Sequence, residues 1–334
     1  MPNPHPPSPP VKVTGEGSGR WRPDVLEGFQ QTTLPPGPSW DGPAEATLVR
    51  RRSPEGGGAA VLYIHGFVDY FFQTHLAGFF LRRGLHFYAV DLRRSGRSLR
   101  PHQLPNTIRK MEEFLADVAA AVEVMRREEG IERILVNGHS TGGLVAALFA
   151  HRGPGRQAVQ GLFLNSPFLD MNIPPWQERF LEPGVAALGG LFPNLPLPGP
   201  GRLYGESLHA DHRGSWRYDT RWKPIGGFPP RAGWFRAIHR AHGEVAGGIS
   251  IPSPILVLHA GKSLRPRGWT EEIRRSDVIL DVEDIRRLSP GLGPQVEARG
   301  IPGAIHDVML SEPSAREEAF RLLGGWMDRV GITG

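Results

Sequence analysis

The sequence predicts an α/β protein, with a mainly parallel central sheet, helices on both faces and one inserted cap. Three observations predict it. Short apolar runs such as Ala59–Ile64 (AAVLYI) alternate with helical patterns along most of the chain, as strands buried on both faces of a parallel sheet require. A Gly-x-Ser-x-Gly motif, Gly138-His139-Ser140-Thr141-Gly142, falls between one such run and one such helix. The alternation fails only between about 171 and 251, where Pro, Gly, Trp and Phe accumulate.

Taken in order, residues 46–51 read as an opening strand and Ala59–Ile64 as the next. A helix fits 70–82 and a strand fits 86–90 (HFYAV). Over 107–129 the apolar residues Ile108, Met111, Leu115, Val118, Val122 and Met125 step by three and four, which is a helical period. Strands follow over 133–136 and 159–164, separated by a helix over 142–151. After the irregular stretch, a strand resumes over 254–258 (PILVL). A short helix over 281–288, a strand over 295–301 and a helix over 312–330 complete the chain. The expected organisation is a Pro-rich disordered tail over 1–22, a core over 23–170 and 252–334, and a cap or lid over 171–251. Six prolines in the first ten positions leave the tail too little apolar surface to offset its ordering entropy.

Composition narrows the function classes. Gly 43 and Pro 33 in 334 residues make a turn-rich chain, against roughly 12% for these two residues in an average protein. There is no cysteine, so disulfides, thiolate metal sites and a Cys nucleophile are excluded. No apolar run reaches the roughly 18 residues of a membrane span, and the first residues lack the apolar core of a secretory signal. The expected location is cytoplasmic. The net charge of +5 is mostly arginine spread along the chain; with no accompanying motif, nucleic acid is not an expected partner.

Chemistry concentrates at Ser140. A serine between a strand (RILVN) and a helix (GLVAALFAH) occupies the strained turn known as a nucleophile elbow. Glycines two before and two after leave room for the neighbouring backbone. The helix that opens here points its positive end at the site.

A second motif is Tyr63-Ile64-His65-Gly66-Phe67, a buried strand ending in His-Gly. With the elbow, it resembles the monoglyceride lipase and lysophospholipase-like branch of the α/β-hydrolases (serine aminopeptidase S33 type). The resemblance covers roughly 44–330, the insertion matching only in character. It implies an oxyanion hole from the backbone N–H groups of Phe67 and Thr141, with His65 and His139 structural. Asp91-Leu92-Arg93-Arg94-Ser95-Gly96-Arg97-Ser98 is similar to the family's D-x-R-G-x-G-x-S loop, with Arg94 where glycine is usual; Asp91 is expected to hold that loop. The general base is expected just past the last core strand, at His306, with Asp307 beside it to orient the loop. The family's acid follows the PILVL-type strand, yet Ser263 stands where the aspartate belongs. An insertion over 264–276 displacing the acid to Asp277 accounts for this. Asp281, otherwise a helix cap, and Asp170, past the preceding strand, remain alternatives.

The resemblance implies a carboxylic-ester hydrolase acting on apolar acyl esters through a Ser140, Asp277, His306 triad and an acyl-enzyme. It requires neither metal nor organic cofactor. Trp176, Phe180, Leu191, Phe192, Trp216, Trp222, Phe228, Trp234 and Phe235 either line an acyl pocket or glue the cap to the body; Asp69-Tyr70-Phe71-Phe72-Gln73 borders that region. The expected substrate is a small or lipid-like ester, and transient contact with a lipid surface through the cap is an expectation of the same resemblance. Two other readings stand: a proline iminopeptidase-like amide hydrolase, which needs an acidic anchor for the substrate amine, and a non-catalytic binding protein. The oligomeric state is open.

Overall fold

The computed structural model describes residues 21–37, 39–171 and 182–333. The expected tail up to residue 20, and the cap residues Trp176 and Phe180, lie outside the described residues. Among those described, one sheet runs in the order β1-β2-β3-β5-β4-β6-β7-β8-β9. Its strands are β1 (Arg22–Pro23), β2 (Gln30–Thr33), β3 (Thr47–Arg51), β4 (Ala59–Ile64), β5 (His86–Asp91), β6 (Arg133–His139), β7 (Val159–Asn165), β8 (Ile255–Ala260) and β9 (Val296–Ile301). β1, β2 and β3 pair antiparallel, and β3 meets β5 antiparallel. From β5 through β4 to β9 every pairing is parallel.

The strands separate two apolar layers by their alternation. On β4, Ala60, Leu62 and Ile64 face one layer, and Ala59, Val61 and Tyr63 face the other. Helices α2 (Glu112–Arg127) and α3 (Thr141–Arg152) cover the first layer. Helix α1 (Thr74–Leu81) and the last helix (Pro313–Val330) cover the second. Helices therefore sit on both faces, as expected for an α/β sheet.

The edge strands β1 and β2 have no apolar run to announce them: β2 is QQTT. Trp21 and Arg22 nevertheless join the body. The Trp21 indole donates to Glu129 Oε1 at 2.9 Å, the Arg50 guanidinium lies 3.8 Å above its ring, and Arg22 pairs with Gln31. Two helices start later than their apolar period predicts because side chains claim the backbone first. Ahead of α1, Phe71 N–H donates to Asp91 Oδ1 and Phe72 N–H to Gln73 Oε1. Ahead of α2, Glu113 Oε1 accepts from the N–H groups of Arg109 and Lys110.

Between β7 and β8 the chain forms α4 (Glu182–Leu191), α5 (Leu203–Leu208) and α6 (Ala232–Ala246). The last of these packs Trp234, Ala237, Ile238, Ala241 and Val245 into the first apolar layer. After β8 come α7 (Val282–Leu288) and, beyond β9, α8 (Pro313–Val330). No described helix is long and apolar enough to cross a membrane.

His242 on α6 is buried at 6% exposure, and its Nε2 lies 2.9 Å from the carbonyl of Phe168. Burial lowers its pKa to about 4. The unfolded chain, with an ordinary imidazole near 6.5, thus binds the extra proton first as pH falls. Stability attributable to this residue is present above about pH 6.5 and is lost as pH falls toward 4. The loss amounts to about 3 kcal/mol. His242→Gln keeps a donor for Phe168 and removes the titration. Urea unfolding at pH 7 and pH 5 is expected to show a smaller difference for the variant than for the wild type.

Candidate active site

The site lies where the parallel strands end. The chain turns from β6 into α3 within one residue, Ser140, at φ 54°. That left-handed value is uncommon for a residue with a side chain, and close backbone contacts hold it. A Cβ on Gly138 would lie 2.4 Å from Gly142 O, and one on Gly142 would lie 2.2 Å from Ile64 O. The Ser140 N–H donates to Asn165 O at 3.0 Å, and its carbonyl accepts from Phe168 N–H at 3.0 Å.

His306, on the turn after β9, is 2% exposed, and its Nε2 lies 2.9 Å from Ser140 Oγ. Its Nδ1 lies 2.8 Å from Asp277 Oδ2. With the proton on Nδ1 donated to Asp277, Nε2 is left to accept from the serine hydroxyl. Asp277 is fully buried, and its other oxygen accepts from the N–H groups of Ile279 and Leu280, each at 2.8 Å. The loop over 264–276 leaves and returns, so that Asp277 bridges to Ser263 as a neighbouring strand would. Asp277 N–H donates to Lys262 O at 2.9 Å, and Leu264 N–H donates to Asp277 O at 2.7 Å. The carboxylate thus reaches the imidazole from beside the position that Ser263 occupies.

The two other acids lie elsewhere. Asp281 caps α7 by accepting from Glu283 N–H. Asp170 pairs with Arg287 at 2.6 Å. Asp307 accepts from Asn165 Nδ2 at 2.6 Å and from Met309 N–H at 3.0 Å, and so anchors the histidine loop.

The loop after β4 is braced from behind. His65 Nε2 accepts from Leu92 N–H at 3.0 Å, which leaves Nδ1–H for Gly66 O at 2.7 Å. Val68 stands at φ 49°, a rare value for a β-branched residue. Its N–H donates to Asn106 Oδ1 at 3.1 Å, while Asn106 Nδ2 donates to Ser95 Oγ at 2.7 Å. Asp91 ties the Asp91–Ser98 loop by accepting from Phe71 N–H, Arg97 N–H and Arg97 Nη1. Arg94, where glycine was expected, also has positive φ (61°). Its guanidinium is fully buried against Asp41, Ser39 and the Thr107 carbonyl. Neither Phe67 N–H nor Thr141 N–H has an acceptor among the described residues. Thr141 is the first residue of α3, where such a donor is left free by helix geometry.

A cavity of about 100 Å³ opens at Ser140 and His306. Phe67, Val68, Tyr204, Tyr218, Ile225 and Ile279 form much of its wall. Of the large apolar residues singled out in the insertion, those described do not line it. Trp216 instead donates to Leu310 O and stacks on His75, and Trp222 meets Tyr70 edge-on at 5.1 Å. Trp234 packs on Phe67, while Leu191 and Phe192 are exposed. These residues attach the insertion to the body or face solvent.

Four residues of the site carried no strong sequence signal. Asn165 ends the apolar strand β7 and joins the elbow to the histidine loop, accepting from Val308 N–H as well. Asn106 braces Val68. Tyr204 accepts from Asp307 N–H at 3.1 Å; burial, then the Asp307 charge, pushes its phenol well above the ordinary range. Lys223 pairs with Asp69 at 2.8 Å, and Asp69 Oδ2 lies 3.4 Å from His139 Nδ1. Burial opposes ionisation of Asp69, but the Lys223 ammonium and His139 outweigh it and hold the carboxyl below its usual range.

The strand order, the serine at a strand-to-helix elbow and the downstream histidine define an α/β-hydrolase. The sequence profile of the serine aminopeptidase, S33 family matches residues 57–264, and the chain belongs to that family. A comparison with curated protein sequences finds no match. Among solved structures, the chain is similar to a soluble variant of monoglyceride lipase from Saccharomyces cerevisiae. That likeness has a TM-score of 0.65 at 16% identity and covers 86% of this chain and 93% of the other. It is similar also to a monoacylglycerol lipase from Paleococcus ferrophilus, with a TM-score of 0.63 at 21% identity over 85% of this chain and 98% of the other. A thermophilic esterase from Thermogutta terrifontis matches with a TM-score of 0.57 at 19% identity, over 90% of this chain and 99% of that one.

Gly142→Ala tests the elbow packing, because the added carbon meets two backbone carbonyls, those of Ile64 and His65. Overpacking of this kind costs about 1–3 kcal/mol. The urea midpoint is expected to fall accordingly, and an unchanged midpoint would contradict the packing argument.

Proposed function

We propose that the chain hydrolyses carboxylic esters through Ser140, His306 and Asp277. The observation that carries this reading is the continuous hydrogen-bonded path from Ser140 Oγ through the imidazole to a buried carboxylate. Ser140 Oγ attacks the ester carbonyl carbon while its proton passes to His306 Nε2. Asp277 keeps the imidazole in the required tautomer and stabilises its cation. The tetrahedral oxyanion is held by the N–H groups of Phe67 and Thr141; one such donor is worth roughly 2.7–4 kcal/mol. Collapse breaks the bond to the alkoxide, which leaves with the proton from His306. Water then gives a proton to His306, attacks the acyl-serine, and releases the acid and free Ser140.

In this reading the segment over 171–251 is a cap that roofs the site with Tyr204, Tyr218 and Ile225. The apolar wall they form with Phe67 and Val68 suits an apolar acyl or alcohol group. The similar solved structures, two monoglyceride or monoacylglycerol lipases and an esterase, point the same way. An aminopeptidase reading needs a carboxylate to hold the substrate amine. Among the described residues no carboxylate lines the cavity, and the charged side chain that does is Lys223.

A fluorophosphonate probe is expected to label the wild-type protein and to leave Ser140→Ala unlabelled; labelling that survives the change removes Ser140 as nucleophile. Asp277→Asn is expected to lower kcat by about 10³–10⁴-fold on 4-nitrophenyl esters, the scale for a triad with its tautomer disturbed. Asp281→Asn leaves a side chain that caps the helix as well as aspartate does, and is expected to change neither stability nor kcat appreciably. The reverse pattern would transfer the acid role to Asp281.

A further inference from the structure

The cavity at Ser140 has an apolar wall with one polar corner. Lys223, from the segment between α5 and α6, lines it together with His139. The Lys223 side chain is 9% exposed. Its ammonium gives one N–H to Asp69 Oδ1. An ammonium carries three donors, and the other two have no acceptor among the described residues. Nζ otherwise faces the rings of Phe72 and Tyr218, 5.8 Å from each centroid.

Beside it, His139 is 3% exposed; its Nδ1 lies 3.4 Å from Asp69 Oδ2, and its Nε2 has no hydrogen-bond partner among the described residues. Buried polar atoms are nearly always satisfied, so two unused ammonium donors and His139 Nε2 in one corner of a cavity mark a partner that the protein itself does not supply. An ion pair serving only to fasten the insertion would not leave donors turned to a cavity. Apolar residues there would fasten it as well, since a buried ion pair is often no more stabilising than an apolar replacement. Asp69 holds the ammonium in place and balances its charge; what the corner lacks is an acceptor.

Resting on the reading of the chain as an ester hydrolase, we infer that Lys223, with His139 beside it, selects esters that carry a second, anionic oxygen group, a carboxylate or a phosphate. Charge-assisted hydrogen bonds from an ammonium to such a group are stronger than neutral ones and are strengthened further by an apolar surround. The anion can belong to the acyl part of the ester or to its alcohol. Either way, the preference is set at Lys223 while bond breaking is left to Ser140 and His306.

Two matched pairs of substrates test this and separate the two sources. Monomethyl succinate against methyl butyrate places the charge on the acyl side. Butyrylglycerol phosphate against butyrylglycerol places it on the alcohol side. The readout is kcat/KM for the charged member divided by that for the neutral one, followed by acid release. The wild type is expected to favour the charged member at least tenfold in one pair. Lys223→Met is expected to bring that ratio to one or below, and Lys223→Arg to keep it above one. Because Lys223→Met strands the buried Asp69 carboxylate, the double variant Asp69→Asn/Lys223→Met is run beside it and is expected to lose the preference equally. Ratios at or below one in both pairs for the wild type, or a preference that survives in the double variant, overturn the inference while leaving ester hydrolysis intact. Absence of turnover on all four esters, with no fluorophosphonate labelling, overturns the hydrolase reading and this inference with it.

Discussion

Ser140 is held in a left-handed backbone conformation between a strand and a helix, and the rest of the site is arranged around that one constraint. The conformation lifts the hydroxyl above the sheet edge and leaves Thr141 N–H free at the start of α3. It is sustained because the turn is packed from all sides. Gly138 and Gly142 let backbone carbonyls approach closer than any side chain would allow. Asn165 and Phe168 fix the two polar groups of the serine's own backbone. Strain of this kind persists only where surrounding contacts over-determine it. Among the other described non-glycine residues at positive φ, Val68, Arg94 and Ser166 follow the carboxyl ends of β4, β5 and β7, and Asn106 bonds to the first two.

The sheet topology explains why these loops meet. In a parallel sheet all carboxyl ends lie along one edge, and sites form there. The ends of β4, β6, β8 and β9 lead to Phe67, Ser140, Asp277 and His306 in turn, and β5 and β7 supply the braces Asp91 and Asn165. Each brace joins two loops: Asn165 connects the elbow to Asp307, and Asn106 connects Val68 to the Asp91–Ser98 loop. The geometry is therefore carried mainly by side-chain to backbone hydrogen bonds behind the reacting groups. Such bonds orient groups at little conformational cost once the loops are ordered.

Much of this was legible in the sequence because parallel strands buried on both faces are written as unbroken apolar runs. AAVLYI coincides with β4, and RILVN begins β6. The places of Ser140 and His306 follow from their positions after strands, and that of Asp277 beside the imidazole from allowing the loop over 264–276 to swing out and return. What the sequence hid has physical reasons. QQTT pairs through its backbone at a polar edge, so no apolar pattern marks it. Helices α1 and α2 begin late because Asp91, Gln73 and Glu113 capture N–H groups that a periodicity argument assigns to the helix. In the insertion, aromatic size pointed to Trp216 and Trp222, but their flat faces serve attachment. The cavity is lined by Tyr204, Tyr218 and Lys223 instead. Lys223 is one of few lysines in an arginine-rich chain, a signal visible only once its neighbours are known.

The most direct test of the account is to trap the covalent intermediate. The protein is mixed with 4-nitrophenyl acetate, quenched with acid, digested and analysed by mass spectrometry. The account predicts one acetyl group, on the peptide carrying Ser140, and no such adduct in His306→Ala. Hydrolysis at the wild-type rate by Ser140→Ala, or an acetyl group carried on a different residue during turnover, would contradict it.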